Sequence, residues 1–304
     1  ALVGLLHHGG IAGHVKAGQF LLGLTESTRE ADQLLLAQSL ADLDDHNFYQ
    51  PLEKLLASES TEVRCFALQA ASKVRHPSLL PAIIAQLERV ETRSTAVDTL
   101  IAFATAVLPS VESALSQNKL PLATKRRLVR LSGALANGAA QNTLLPHLLH
   151  PNRELRSVAL MALQRSGYRA QAAEAITQIE LALQNEVART AVLLTATTTI
   201  EKTPEYAWLH TALHTEFQQT NERILLLFSF IYDPRVLRRV SDYLHLGSSE
   251  EKAQAIETVD LIFSTPHKQL LLPLIDNALS PLERLSALSK HASVPTATAD
   301  AWLN

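Results

Sequence analysis

Hydrophobic and polar positions follow a helical rhythm along nearly the whole chain. The stretch "LLPHLLHPNRELRSVALMAL", Leu144 to Leu163, shows it clearly. An apolar run is followed by a turn at Pro151 and Asn152, and then by a second run with apolar residues three and four apart. That spacing puts them on one face of an amphipathic helix. One basic residue, Arg156, sits at the start of the second helix beside that face.

The arginine recurs. Arg64 opens "RCFALQAA", Arg93 "RSTAVDTL", Arg127 "RLVRLSGA" and Arg156 "RSVALMAL". Arg189 opens "RTAVLLTA", Arg223 "RILLLFSF", Lys252 "KAQAIETV" and Arg284 "RLSALSKH", and Gln33 holds the slot in a weaker first unit. Successive slots lie 29 to 34 residues apart, and small or apolar residues follow at the third, fourth, sixth and seventh positions. The preceding helices, such as "YQPLEKLLAS" and "LLPAIIAQL", carry an early Pro, which the first helical turn tolerates. The unit is helix, short polar turn, helix, and a repeat of this size predicts a solenoid. In that reading the basic ladder is structural. Each arginine stands near the turn carboxylates or carbonyls of a neighbouring unit and fixes the stacking of repeats.

Composition narrows the class. The chain has 304 residues, of which 47% are hydrophobic, enough for a large core. Only 10 are glycine, and Leu, Ala, Gln and Glu abound, which favours an all-α protein. The net charge of −3 gives no general attraction to nucleic acid or anionic membrane. A single cysteine, Cys65, excludes an internal disulfide and suits a reducing compartment. The longest apolar run, "ILLLFSFIY" from Ile224 to Tyr232, is too short to span a bilayer and predicts a buried core helix. The opening "ALVGLLHHGG" lacks a secretion leader and an initiator Met, so the chain reads as part of a longer polypeptide.

Spacing of this kind is HEAT-like. The order of "GGIAGHVKAGQFLLGLTES", "FYQPLEKLLASESTEVRCFALQAASKVRHPSLLPAIIAQL", "FIYDPRVLRRVSDYL" and "LLLPLIDNALSPLERL" is more specific. It resembles the soluble HEAT region of bacterial membrane proteins whose transmembrane part is similar to nucleotide (ATP/ADP) translocases. The resemblance implies a cytoplasmic domain at the inner face of a bacterial membrane, tethered to a transporter-like unit. It carries over no catalytic residue.

Candidate chemistry is sparse. His210 and His214, four apart in "HTALHTEF", could share a metal, but Glu216 turns from their face and no third ligand follows. His7 and His8 before Gly9 and Gly10 read as a helix C-terminal stop, and "GGIAG" lacks the Lys-Ser/Thr of a phosphate loop. Cys65 has no partner base and packs as a small apolar residue. The basic clusters are "TKRRLVR", Thr124 to Arg130, and "RVLRR", Arg235 to Arg239. After Asp233 and Pro234 start a helix, Arg235, Arg238 and Arg239 share a face that is the best candidate for docking on a membrane unit or headgroups.

The sequence thus predicts an all-α, right-handed α-solenoid of about nine HEAT-like antiparallel helix pairs, one array over 1–304, with an irregular repeat or hinge near 195–208. The expected function is non-enzymatic: a protein-interaction or regulatory module with no catalytic residue, metal or cofactor and no transmembrane segment. Its expected partner is a protein, and the resemblance implies the membrane unit of the same polypeptide. A free-standing adaptor is the alternative. A HEAT-like enzyme, such as a DNA glycosylase or bilin lyase, fits less well. A glycosylase calls for a basic, aromatic-rich face, whereas charge here is negative and Trp208 and Trp302 lie far apart in sequence.

Overall fold

The computed structural model describes residues 10–42, 49–117, 120–200, 204–276 and 278–290. Among them are sixteen α-helices and no strand, so the protein is all-α. The chain divides into two compact units, Ala1–Leu144 and Leu145–Asn304.

In the first unit short helices pack pairwise. They are α1 (Gly10–Thr25), α2 (Glu30–Asp42), α3 (Tyr49–Leu56), α4 (Thr61–Val74), α5 (Leu80–Ala85), α6 (Arg93–Ala102), α7 (Leu108–Ser116), α8 (Leu122–Leu135) and α9 (Gly138–Leu144). Each even-numbered helix packs on the odd-numbered one before it, and α2, α4, α6 and α8 pack on one another in chain order. The reason is local. Pro81 and Pro109 sit in the first turns of α5 and α7, where a missing N–H costs nothing. Buried Ala67, Leu68, Ala70 and Ala71 give α4 a small-residue face that lets its neighbours approach closely.

The second unit is built differently. It contains α10 (Arg153–Arg165), α11 (Ala173–Thr199), α12 (Ala207–Phe228), α13 (Pro234–Leu246), α14 (Ser249–Ile262), α15 (Thr265–Ile275) and α16 (Pro281–Leu288). The two long helices α11 and α12 pack together, and α11 also packs on α16, nearly a hundred residues further along the chain. An open array joins each repeat only to its neighbours, so this unit is closed on itself. Arg189 and Arg223 were expected to open second helices after a turn, but both lie inside long continuous ones. Neither Gly nor Pro occurs from Ala173 to Thr199 or from Ala207 to Phe228, so nothing breaks the helix there.

Between α11 and α12, which end at Thr199 and begin at Ala207, the helix is interrupted. The hydroxyls of Thr195, Thr197 and Thr199 donate to carbonyls four residues back, on Ala191, Leu193 and Thr195. The chain turns extended at Ile200, and a 3-10 turn, Pro204–Tyr206, precedes α12.

Within "ILLLFSFIY", Ile224, Leu225, Leu227, Phe228 and Phe230 are buried, but α12 ends at Phe228, so the run is a helix end and a turn. Among the described residues no single helix is long and apolar enough to cross a membrane.

Candidate functional site

Four ladder residues share one local device. Arg64, Arg156, Lys252 and Arg284 lie four residues after the N-caps Ser60, Asn152, Ser248 and Ser280, and each N–H bonds the N-cap carbonyl. Each cap side chain accepts an N–H three residues on, satisfying a donor that the helix leaves orphaned. Three of the four long side chains then reach back over the turn. Arg64 Nη1 donates to the carbonyls of Ser58 (2.6 Å) and Glu59 (2.8 Å), and Nη2 to Thr61 Oγ1 (2.9 Å). Arg156 Nη1 does the same to His150 (2.9 Å) and Pro151 (3.0 Å). Arg284 donates to the carbonyls of Leu279, Leu274 and Asp276. Arg93, at the first position of α6, still reaches the Leu87 carbonyl six residues back (3.2 Å).

These arginines therefore tie the turn of their own pair. Of the three, Arg156 also faces a carboxylate beyond its own pair, Glu186 on α11. The preceding helix leaves carbonyls unpaired and carries partial negative charge there, which a fork of N–H donors satisfies.

Arg127 departs from the ladder. Pro121 is the N-cap of α8, so the residue four places on is Lys125, whose N–H takes the Pro121 carbonyl and whose side chain is buried. Arg127 is half-buried and Arg130 exposed, so the outward part of "TKRRLVR" is its end. Burial, and then the like charges of Arg93, Arg130 and Arg126, hold the Arg127 guanidinium below its usual range.

Arg189 and Arg223 belong to a charge network on α10, α11 and α12. Glu186 lies 2.9 Å from Arg223 Nε and 3.6 Å from Arg156 Nε. Glu216 lies 2.5 Å from Arg153, 3.2 Å from Arg223 and 3.5 Å from Arg189. Four guanidiniums thus share two carboxylates, with Glu186 buried and Glu216 and Arg223 largely so. Burial is the chief cause that lowers the Arg189 pKa; repulsion from Arg153 adds to it, and Glu216 and Glu186 oppose it.

From the sequence Glu216 is weighed only as a metal ligand and Glu186 not at all, because isolated acids on a helix read as solvated. One signal was present. Glu186 sits inside the buried stripe Ile179, Ala182, Leu183, Val187, Thr190, and an acid there requires a partner.

Beside this network, α10, α12 and α13 enclose a cleft of about 670 Å³, with Arg223 in its wall. Gly167, at φ +67°, ends α10 in the left-handed conformation that glycine adopts freely, and Tyr168 N–H returns to the Leu163 carbonyl. That turn presents Tyr168 edge-on to Phe230 at 5.5 Å and places Arg169 against the end of α12, where it donates to the Ser229 and Tyr232 carbonyls.

Arg235, Arg238 and Arg239 are all exposed on α13, whose start is capped by the Asp233 side chain. Arg238 lines the cleft, and Arg239 lies over the Tyr243 ring (5.3 Å) and donates to its hydroxyl.

His210 is half-buried and His214 exposed, while Glu216 is held by arginines; no group of three or more metal-ligating side chains is found among the described residues. His7, His8 and Gly9 lie outside the described residues, and Gly10 opens α1 with φ +61°. Cys65 is half-buried, Trp208 is exposed, and Trp302 lies outside the described residues.

A phenol–imidazole–carboxylate chain does occur. Tyr232 Oη is 2.7 Å from His267 Nδ1, and His267 Nε2 is 3.5 Å from Glu180. Tyr232 Oη also accepts the N–H of Ser264, the N-cap of α15, and its ring stacks on Phe263 at 4.0 Å. These contacts clamp helix ends.

No protein-family model matches the chain, and no curated protein matches it significantly.

Proposed function

We propose that this chain is a non-enzymatic interaction module built from HEAT-like helix pairs, an α-solenoid in its first unit, whose partner is a protein. The observation that supports it is the succession α2, α4, α6, α8, each packed on its own first helix and on the next of the series. Stacked pairs of this kind form extended surfaces suited to protein recognition. The polar machinery supports the same reading, since Arg64, Arg156 and Arg284 spend donors on turn carbonyls, a structural use.

The partner we favour is a membrane-embedded, transporter-like segment of the same polypeptide, with the module on the cytoplasmic side of a bacterial membrane. That choice follows from the motif order resembling the HEAT region of translocase-like proteins. The exposed face of Arg235, Arg238 and Arg239 is the proposed contact, each charge contributing about 1 kcal/mol near an anionic surface.

The test is co-purification with the membrane segment encoded in the same reading frame, expressed separately. Reversing all three arginines to Glu should lower co-purification at least about tenfold, the loss of more than 1.4 kcal/mol, and leave the melting curve in place. A reading frame without a membrane segment, or co-purification that ignores the reversal, removes the tethered reading and leaves a free-standing adaptor.

A further inference from the structure

The cleft between α10, α12 and α13 has a chemistry of its own. One wall is apolar: Leu160, Leu225 and Leu237 are buried, while Met161 and the half-buried Leu226 present accessible surface. For a small molecule, such a wall supplies area, and a few convergent polar groups supply orientation. The volume, about 670 Å³, suits a ligand of modest size.

The sign of the polar end follows from the charges around it. Arg223 and Arg238 line the cleft, with Arg169 beside them. Behind Arg223 lies the network in which four guanidiniums share two carboxylates, an excess of two positive charges in a half-buried place. The buried Nε atoms of Arg156 and Arg189 face Glu186 at 3.6 Å and Glu216 at 3.5 Å without a hydrogen bond.

Two acids also line the cleft, Glu222 and Asp242, and both are exposed. Asp242 stands four residues from Arg238 on α13, the spacing of a helical ion pair. Water screens exposed charges, whereas the network's excess acts through a low-dielectric wall. Arg169, Arg223 and Arg238 in the lining also outnumber these two acids, so the cleft favours an anion.

We propose that this cleft binds an amphipathic anion, an apolar chain ending in a carboxylate or phosphate group. The head group lies between Arg223 and Arg238, and the chain lies along Leu160, Met161, Leu226 and Leu237. This goes beyond the interaction module and does not depend on it: ligand binding in the second unit requires no protein partner.

Met161 is the only methionine in the chain and lines the cleft, so a methyl-labelled sample carries one resonance at the site. Dodecanoate and dodecyl phosphate are titrated below their micelle-forming concentrations, against dodecanol and dodecyltrimethylammonium. Both anions should shift the Met161 methyl saturably, and a preference between them names the head group. Arg238→Glu should weaken binding about tenfold or more, as expected for losing a charge-assisted hydrogen bond. Arg235→Glu, on the same helix but off the cleft, should leave it unchanged. Equal binding by the neutral or cationic probe, no saturable shift with either anion, or indifference to Arg238→Glu in a variant that keeps its melting temperature would each overturn the proposal.

Discussion

Arg64 of the first unit and Arg223 of the second put the same recurring arginine to opposite uses. In the first, Arg64 is buried and donates to neutral oxygens, the Ser58 and Glu59 carbonyls and the Thr61 hydroxyl. In the second, Arg223 is half-buried, and its partners are the carboxylates of Glu186 and Glu216 together with the Thr220 hydroxyl. Arg156 does both, capping its own turn through Nη1 and facing Glu186 with Nε. What separates the cases is where the helix begins. An N-cap four residues earlier puts the arginine over a turn whose carbonyls need donors. Where no breaker precedes it, as at Arg189 and Arg223, there is no turn to tie and the charge must find a carboxylate. A periodic residue is thus not a periodic role.

The largest effect expected is at Glu186. Its removal leaves Arg156 without a carboxylate and Arg223 with Glu216 alone, and breaking a buried pair from one side costs about 3–5 kcal/mol. Glu186→Ala should lower the protection of α11 amides against hydrogen exchange by that amount, and that of α4 amides by less. A loss below about 1 kcal/mol, the range of exposed pairs, would mean that solvent already screens the network.

Arg64→Ala comes next, at about 2 kcal/mol, because the bonds lost run to uncharged acceptors and the turn carbonyls can take up water. The loss should be read in α4. Arg64→Lys sharpens the comparison. Lysine keeps the charge but not the fork, so it should restore less than half of the loss. Full rescue by lysine would show that charge alone holds the turn, and the distinction between the units would fall.

Much of this was legible in the sequence, and the failures have physical causes. Helical periodicity and scarce glycine predict the all-α class, and the repeat interval with its apolar stripe picks out Arg64, Arg156, Lys252 and Arg284, each of which follows an N-cap by four residues. Arg127 was misplaced because Pro121, not the apolar stripe, sets the start of α8, which gives the slot to Lys125. The turns expected before Arg189 and Arg223 failed because a period was extended across segments with no residue to stop a helix. The cleft could not be anticipated, since it depends on Gly167 turning the chain and on α13 meeting α10 and α12, contacts distant in sequence.

The smallest effect separates the units by pH. In the first unit Ser60 caps α4, but the residue three places on is Val63, so that cap carries no acid at the third position. In the second, Ser280 and Ser248 cap α16 and α14 in reciprocal capping boxes with Glu283 and Glu251. The Ser280 hydroxyl and backbone N–H donate to Glu283 and hold its carboxyl below the usual glutamate range. A pKa depressed in the folded state means that the box contributes fully above the ordinary glutamate value and is lost as pH falls through the depressed one. Acidification below about pH 4 should therefore loosen the amides at the start of α16 while those at the start of α4 show no matching step. Glu283→Gln keeps an acceptor but does not titrate in this range, so it should flatten the step at α16 and leave the neutral-pH protection nearly intact. A step that persists in Glu283→Gln would place the titrating group elsewhere in the second unit.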